Sequence, residues 1–204
     1  MRIFVIGATG NTGTELIDLA LARGHAVTAF VRSPSKLLAR ERLTVVRGDP
    51  HRVDELAEAL PGHDVVFSAL GMRPPRAFRP HTLVQACAAS TVAAMARAGV
   101  SRLVLVSAAI LFPLEGAQYV FFRWLLKHIA RDLGAAEEVV RKTTLDWTIA
   151  RPPRLVHKPA EGYRKRVDAL PDNGLTISFR GVAAFMLDAA EQHQHTRELV
   201  GLAS

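Results

Sequence analysis

Gly7, Gly10 and Gly13 stand three residues apart in the stretch GATGNTG, between the apolar run RIFVIG and a helical pattern. That spacing serves phosphate chemistry. The first glycine permits a sharp turn, the second lets the backbone approach a pyrophosphate, and the third lets strand and helix pack closely, while the helix N-terminus favours negative charge. Thr9, Asn11 and Thr12 complete the expected cofactor-binding turn. A glycine pattern alone is weak evidence, and its weight here comes from the strand before it and the helix after it. A site for NAD usually presents an acidic side chain to the ribose 2′-hydroxyl about 20 residues further on. This chain instead places Arg32, Ser33, Ser35 and Lys36 there, in VRSPSK. A guanidinium can bind a phosphate bidentately, with hydroxyls and an ammonium completing an anion site, so NADP(H) is the expected cofactor.

A second set of residues bears on proton transfer. A serine, a tyrosine and a lysine four residues after the tyrosine can exchange a proton with a carbonyl, because the lysine lowers the tyrosine pKa. Ser107 fits the serine and Tyr119 the tyrosine, but the fourth residue after Tyr119 is Arg123. Arginine carries the charge without the compact ammonium. The apolar setting of Tyr119 favours packing over catalysis, so the full triad is expected to be absent. Asp132, Glu137 and Glu138 stand at helical spacing, where a solvated or helix-capping role is favoured over acid/base work.

These residues need a frame that gathers them at one edge. Apolar runs alternate with helical patterns: RIFVIG, the helix TGTELIDLALARG, AVTAFVR, LTVVRGD, the helix RVDELAEALPG, DVVFSALG, a helix from about Thr82 to Ala98, and RLVLVSA. Strands rich in Val, Ile, Leu and Phe without in/out alternation are those of a parallel sheet covered on both faces. The pattern therefore predicts an α/β fold, a single-domain doubly wound parallel sheet of Rossmann type with helices on both faces. Beyond Ala108 it loosens into an apolar stretch from Tyr119, AAEEVVRKTTLDW, a strand WTIARPPRL, a polar basic segment 156–173 and a last helix around Phe179 to Gln192. In such a sheet ligands lie beyond the C-terminal strand ends where strand order reverses, so residues 109–175 are expected to cover the substrate end of that crevice.

Composition narrows the classes. With 204 residues and no linker-like or low-complexity run, one domain is the economical reading. No apolar run approaches the ~18 residues of a membrane span, and the N-terminus lacks the features of a signal peptide, which predicts a cytoplasmic protein with no membrane partner. Cys87 is the only cysteine, excluding an internal disulfide; its apolar helical setting suggests a buried structural thiol. The eight histidines contain no helical metal-binding pair, so no metal is expected. The net charge of +7 favours anionic partners. Its densest cluster, GYRKRVDAL, is short and reads as a solvated or pocket-rim segment, and nucleic-acid binding is not expected.

GATGNTG, VRSPSKL, Gly48–Asp49, Ala69 to Gly71, LVSA at Leu105 to Ala108 and LDWTIARPPRL from Leu145 together resemble the atypical short-chain dehydrogenase/reductases. The nearest branch is the NAD(P)H-binding group of biliverdin reductase B/flavin reductase and the NmrA-like proteins, over about residues 1–190. The resemblance implies that Asp49 and Pro50 lie beside the adenine, that Ala69, Leu70 and Gly71 line the ribose path, and that Ser107 and Pro152 flank the nicotinamide. It also implies direct hydride transfer to a small planar acceptor such as a flavin, a quinone or a polyketide-like ring, with the proton coming from solvent; a monomer or homodimer is expected. The NmrA-like side implies an alternative, a regulatory protein that binds NADP(H) without turnover. Arg154 departs from the histidine often found after the Pro-Pro pair; it is either a binder of an anionic substrate or an exposed strand-end charge. The aromatic stretch from Tyr119 either walls a pocket for a planar ring or forms a subunit interface.

Overall fold

The computed structural model describes residues 1–34, 37–71, 80–113 and 125–204. Its elements run β1 (Arg2–Ile6), α1 (Asn11–Ala22), β2 (Ala26–Val31), β3 (Leu43–Arg47), α2 (Val53–Ala59), β4 (Val65–Ser68), α3 (Leu83–Ala98) and β5 (Arg102–Val106), followed by a one-turn 3-10 helix (Ala109–Leu111). Then come α4 (Lys127–Arg141), β6 (Asp146–Arg151), β7 (Arg154–Val156), β8 (Arg164–Val167), β9 (Thr176–Ser178), α5 (Phe179–Glu191) and β10 (Glu198–Ala203). The main sheet has the order β3-β2-β1-β4-β5-β6-β10-β8, parallel except where β8 runs against β10. Strand order reverses between β1 and β4, whose last residues, Ile6 and Ser68, are paired. The doubly wound reading of the sequence is thus correct.

Alternate residues of each strand feed opposite cores. Ile3 and Val5 of β1 pack with Leu16 and Ile17 of α1 and with Val182, Phe185 and Met186 of α5. Phe4 and Ile6 pack on the other face with Leu56 of α2, Met95 of α3 and Val140 of α4. Both faces are therefore dry, which is why the strands show no polar alternation. Truncating a fully buried ring such as Phe4 to Ala would cost about 3–5 kcal/mol. Cys87 lies in the second core, and burial pushes its thiol up to about 11, so it is a packing residue. No helix among the described residues is long and apolar enough to cross a membrane.

The C-terminal third departs from the sequence reading in three places. WTIARPPRL is two strands, because Pro152 and Pro153 have no N–H to continue the ladder; β7 leaves the main sheet and pairs with β9. The basic segment 156–173 contains β8, an exposed strand at the sheet edge whose charged side chains discourage pairing with another chain. Finally ELVGLA, not foreseen as a strand, is β10, inserted between β6 and β8. Its Gly201 marks the place: a Cβ there would overlap the Ala169 carbonyl oxygen.

Candidate active site

The glycine turn connects β1 to α1 beneath the point where β1 and β4 part. Gly7 has φ +81°, a left-handed conformation, and a Cβ on it would stand 2.7 Å from the Ala69 carbonyl carbon. At Gly13 a Cβ would overlap the Gly7 oxygen and come within 2.9 Å of Ala8 Cα. Gly10 differs. Its backbone is extended, with φ −82° and ψ 166°, and a Cβ would meet only the Gly7 oxygen at 3.2 Å and the Ala69 oxygen at 3.9 Å. Two of the glycines thus hold strand and helix together, while the third keeps space open. Gly10 is also the N-cap of α1, which has no side-chain cap and no acidic residue in its first turn. A helix N-terminus left this way suits an anion, since its first N–H groups carry the positive end of the dipole.

A cavity of about 320 Å³ extends from this turn. Gly10, Asn11 and Thr12 form one end, Ala69, Leu70 and Gly71 continue it past β4, and Val106 with Ser107 close it at the end of β5. The opposite wall brings Ile129, Asp132 and Leu133 from α4, His81 and Val84 from the start of α3, Leu155 from β7 and Phe179 from α5. Ser107 is buried; its N–H donates to the Ala150 carbonyl at 2.7 Å, which fixes the β5 end against β6. Its hydroxyl oxygen is shielded from solvent and has no hydrogen-bond partner among the described residues.

Asp132 is fully buried and accepts from the Val84 N–H at 2.9 Å, the Gln85 N–H at 3.0 Å and His81 Nδ1 at 2.9 Å. It thereby caps α3 from the neighbouring helix, a job that Thr82, the N-cap itself, leaves undone. His81 Nε2 is buried without a partner among the described residues. Glu137, one turn and a half along α4, receives Arg151 Nε and Nη2 at 2.9 and 2.5 Å, and the same guanidinium lies 4.6 Å from the centre of the Phe112 ring. Glu138 is exposed and pairs with Lys142. Of the three acids expected to be solvated or capping, Asp132 caps but is buried, Glu137 is buried in an ion pair, and Glu138 alone is solvated. Helical spacing could not separate them, because only the packing of α4 against α3 and β6 decides which face is dry.

Gly10, Asn11, Thr12, Ala69, Leu70, Gly71 and Ser107 lie together on the cavity. Gly7, Gly13 and the exposed Thr9 belong to the turn beneath it. Arg32 and Ser33 stand exposed at the end of β2, and Asp49 and buried Pro50 follow β3; the Val31–Arg47 register brings these two strand ends side by side. Hydrogen bonds from His51, with Arg32 adding its charge, hold the Asp49 carboxyl below the usual carboxylate range. None of these four lines the cavity itself. Pro152 is buried and does not line the cavity; its carbonyl accepts from the Ala109 N–H at 2.8 Å. Arg154 is exposed on β7, outside the cavity, while its neighbour Leu155 faces in. Tyr119, Ser35 and Lys36 lie outside the described residues, as do Arg123 and most of the aromatic stretch. His81 escaped notice because its partner is 51 residues away, and no local pattern joins the two.

Known proteins are similar to this chain in sequence or in fold. An uncharacterized chloroplastic protein of Arabidopsis thaliana is 32% identical over 79% of this chain, which spans 61% of that protein's length. Oxidoreductase stcQ of Emericella nidulans is 31% identical over 92% of this chain and 76% of its own. A short-chain dehydrogenase/reductase from Veillonella parvula, solved in complex with NADP, superposes with a TM-score of 0.81 over 100% of this chain and 94% of its own; at 22% identity this is a likeness of fold. The model of the NAD(P)H-binding family matches residues 7–193, and the chain belongs to that family.

Proposed function

We propose that the chain is an NADP(H)-dependent oxidoreductase of the atypical short-chain type, passing hydride to a small conjugated or aromatic acceptor such as a flavin, a quinone or a polyketide-like ring. The observation that carries this reading is the run of the cavity from an uncapped helix N-terminus, past Ala69 to Gly71, to a buried, unpartnered hydroxyl at Ser107. It offers an anion site at one end and a hydrogen-bonding group at the other, as a dinucleotide requires. The space that a Cβ on Gly10 would fill fits a diphosphate against the backbone.

Each part of the chain then has a task. Gly10 to Gly13 and the first turn of α1 hold the diphosphate, Thr9 borders it, and Ala69, Leu70 and Gly71 line the ribose path. Arg32 and Ser33, with Ser35 and Lys36 next in sequence, take the 2′-phosphate, and Asp49 and Pro50 border the adenine. Ser107, braced through β6 and Pro152, positions the nicotinamide or the acceptor. Leu155 and Phe179 give the planar acceptor an apolar wall. The bound dinucleotide supplies the hydride, and the chain orients it against the acceptor and excludes water. The test is NADPH oxidation followed by absorbance against flavins, quinones and aromatic carbonyls, with calorimetric titration of NADPH and NADH beside it. Turnover with NADPH preferred supports the reading. Tight binding with no turnover across the panel supports a regulatory role instead.

A further inference from the structure

Two residues that line this cavity each carry a buried polar atom with no partner among the described residues: the Ser107 hydroxyl oxygen and His81 Nε2. A buried polar group without a hydrogen bond costs about 1–3 kcal/mol, so two on one cavity call for an explanation. The His81 ring is also held with care. Both Asp132 oxygens accept backbone N–H groups at the start of α3, and Oδ2 accepts His81 Nδ1 as well. With the carboxylate accepting, Nδ1 is the donor, so the tautomer and ring orientation are set and Nε2 is the free end. A carboxylate holding one ring nitrogen while the other meets the substrate is the arrangement that makes imidazole a proton-transfer group.

We propose that His81, oriented by Asp132, is the proton donor to the acceptor, and that the acceptor is a conjugated carbonyl or quinone whose oxygen lies between Ser107 and His81. This rests on the oxidoreductase reading above and narrows its substrate class. The balance is simple. Hydride from NADPH adds to the β carbon of the conjugated system, the C=C π pair shifts to join the α carbon to the carbonyl carbon, the C=O π pair moves onto oxygen, and that oxygen takes the proton from Nε2–H of the imidazolium. The products are NADP⁺, the reduced acceptor carrying an O–H, and neutral His81, which regains a proton from water. The Ser107 hydroxyl donates to the same oxygen, so one carbonyl satisfies both orphaned atoms. Asp132 is a positioning residue here, and His81 the catalytic one.

The experiment compares wild type, His81→Ala and His81→Gln in NADPH oxidation with 1,4-naphthoquinone and an α,β-unsaturated ketone, with and without imidazole in the buffer. A second arm records the histidine ring nitrogens by ¹⁵N NMR in the unreactive mixture of NADP⁺ and naphthoquinone. The proposal expects kcat to fall on the order of a hundredfold in both variants, NADPH affinity to hold, and imidazole to restore part of the rate of His81→Ala. It also expects one Nε2 resonance, absent in His81→Ala, to move when the quinone joins NADP⁺. An active wild type matched by both variants would overturn the role of His81 and leave the oxidoreductase reading standing. So would slow variants that imidazole does not restore together with an unmoved Nε2 resonance. A wild type that binds NADPH but reduces nothing in the panel would overturn both.

Discussion

Gly10 and Gly13 stand three residues apart in the same turn, and the structure assigns them opposite sensitivities. At Gly13 an alanine Cβ would overlap the Gly7 carbonyl oxygen, which is backbone and can yield only if α1 moves off β1. Overpacking of that kind costs about 1–3 kcal/mol, against which alanine's better helix propensity returns about 1 kcal/mol. At Gly10 the backbone is one that any L-residue adopts, and its only close contact, 3.2 Å to the Gly7 oxygen, asks for a shift of a few tenths of an ångström. Elsewhere the new methyl would project into the space assigned to the diphosphate. Gly10→Ala is therefore expected to fold within about 1 kcal/mol of wild type, the range of a weakened N-cap, and to lose NADPH. Saturation at a hundred times Kd stabilises wild type by about 2.7 kcal/mol, or roughly 5–10 °C in Tm for a domain of this size. Thermal melts with and without NADPH, with calorimetric titration as a cross-check, read both effects. Gly10→Ala should melt near the wild type and show no ligand shift; Gly13→Ala should melt lower without ligand. A full NADPH shift in Gly10→Ala would refute the phosphate site, and a Gly13→Ala as stable as wild type would refute the packing argument.

Arg32→Ala should weaken NADPH and leave NADH unchanged, removing most of a preference expected to be at least about tenfold, since a charged hydrogen bond contributes about 1.5–3 kcal/mol; calorimetry with both cofactors measures it. The charge of nearby Asp49 competes for the guanidinium, which places the preference at the low end of that range. Ser107→Ala should lower turnover on the order of tenfold while raising stability in chemical denaturation by up to about 1–3 kcal/mol, because the buried hydroxyl it removes has no partner among the described residues. Glu137→Ala should cost about 3–5 kcal/mol in the same denaturation assay, because it leaves Arg151 buried without its carboxylate.

Short-range rules made the first half of the chain legible. The turn from Gly7 to Gly13 and the apolar runs of β1 to β5 depend on backbone sterics and on burial of both strand faces, and both leave a mark on consecutive residues. Even the break after Arg151 is written in Pro152 and Pro153, though its consequence, a second small sheet that turns Arg154 outward and Leu155 inward, is not. What tertiary structure alone decided has a common cause. β10 is a strand because β6 and β8 accept it, Glu137 is buried because α4 presents that face to β6, and His81 becomes a candidate for chemistry because Asp132 reaches it from another helix. Such pairings are chosen by which surfaces meet after folding, and the sequence between the partners carries no trace of the choice.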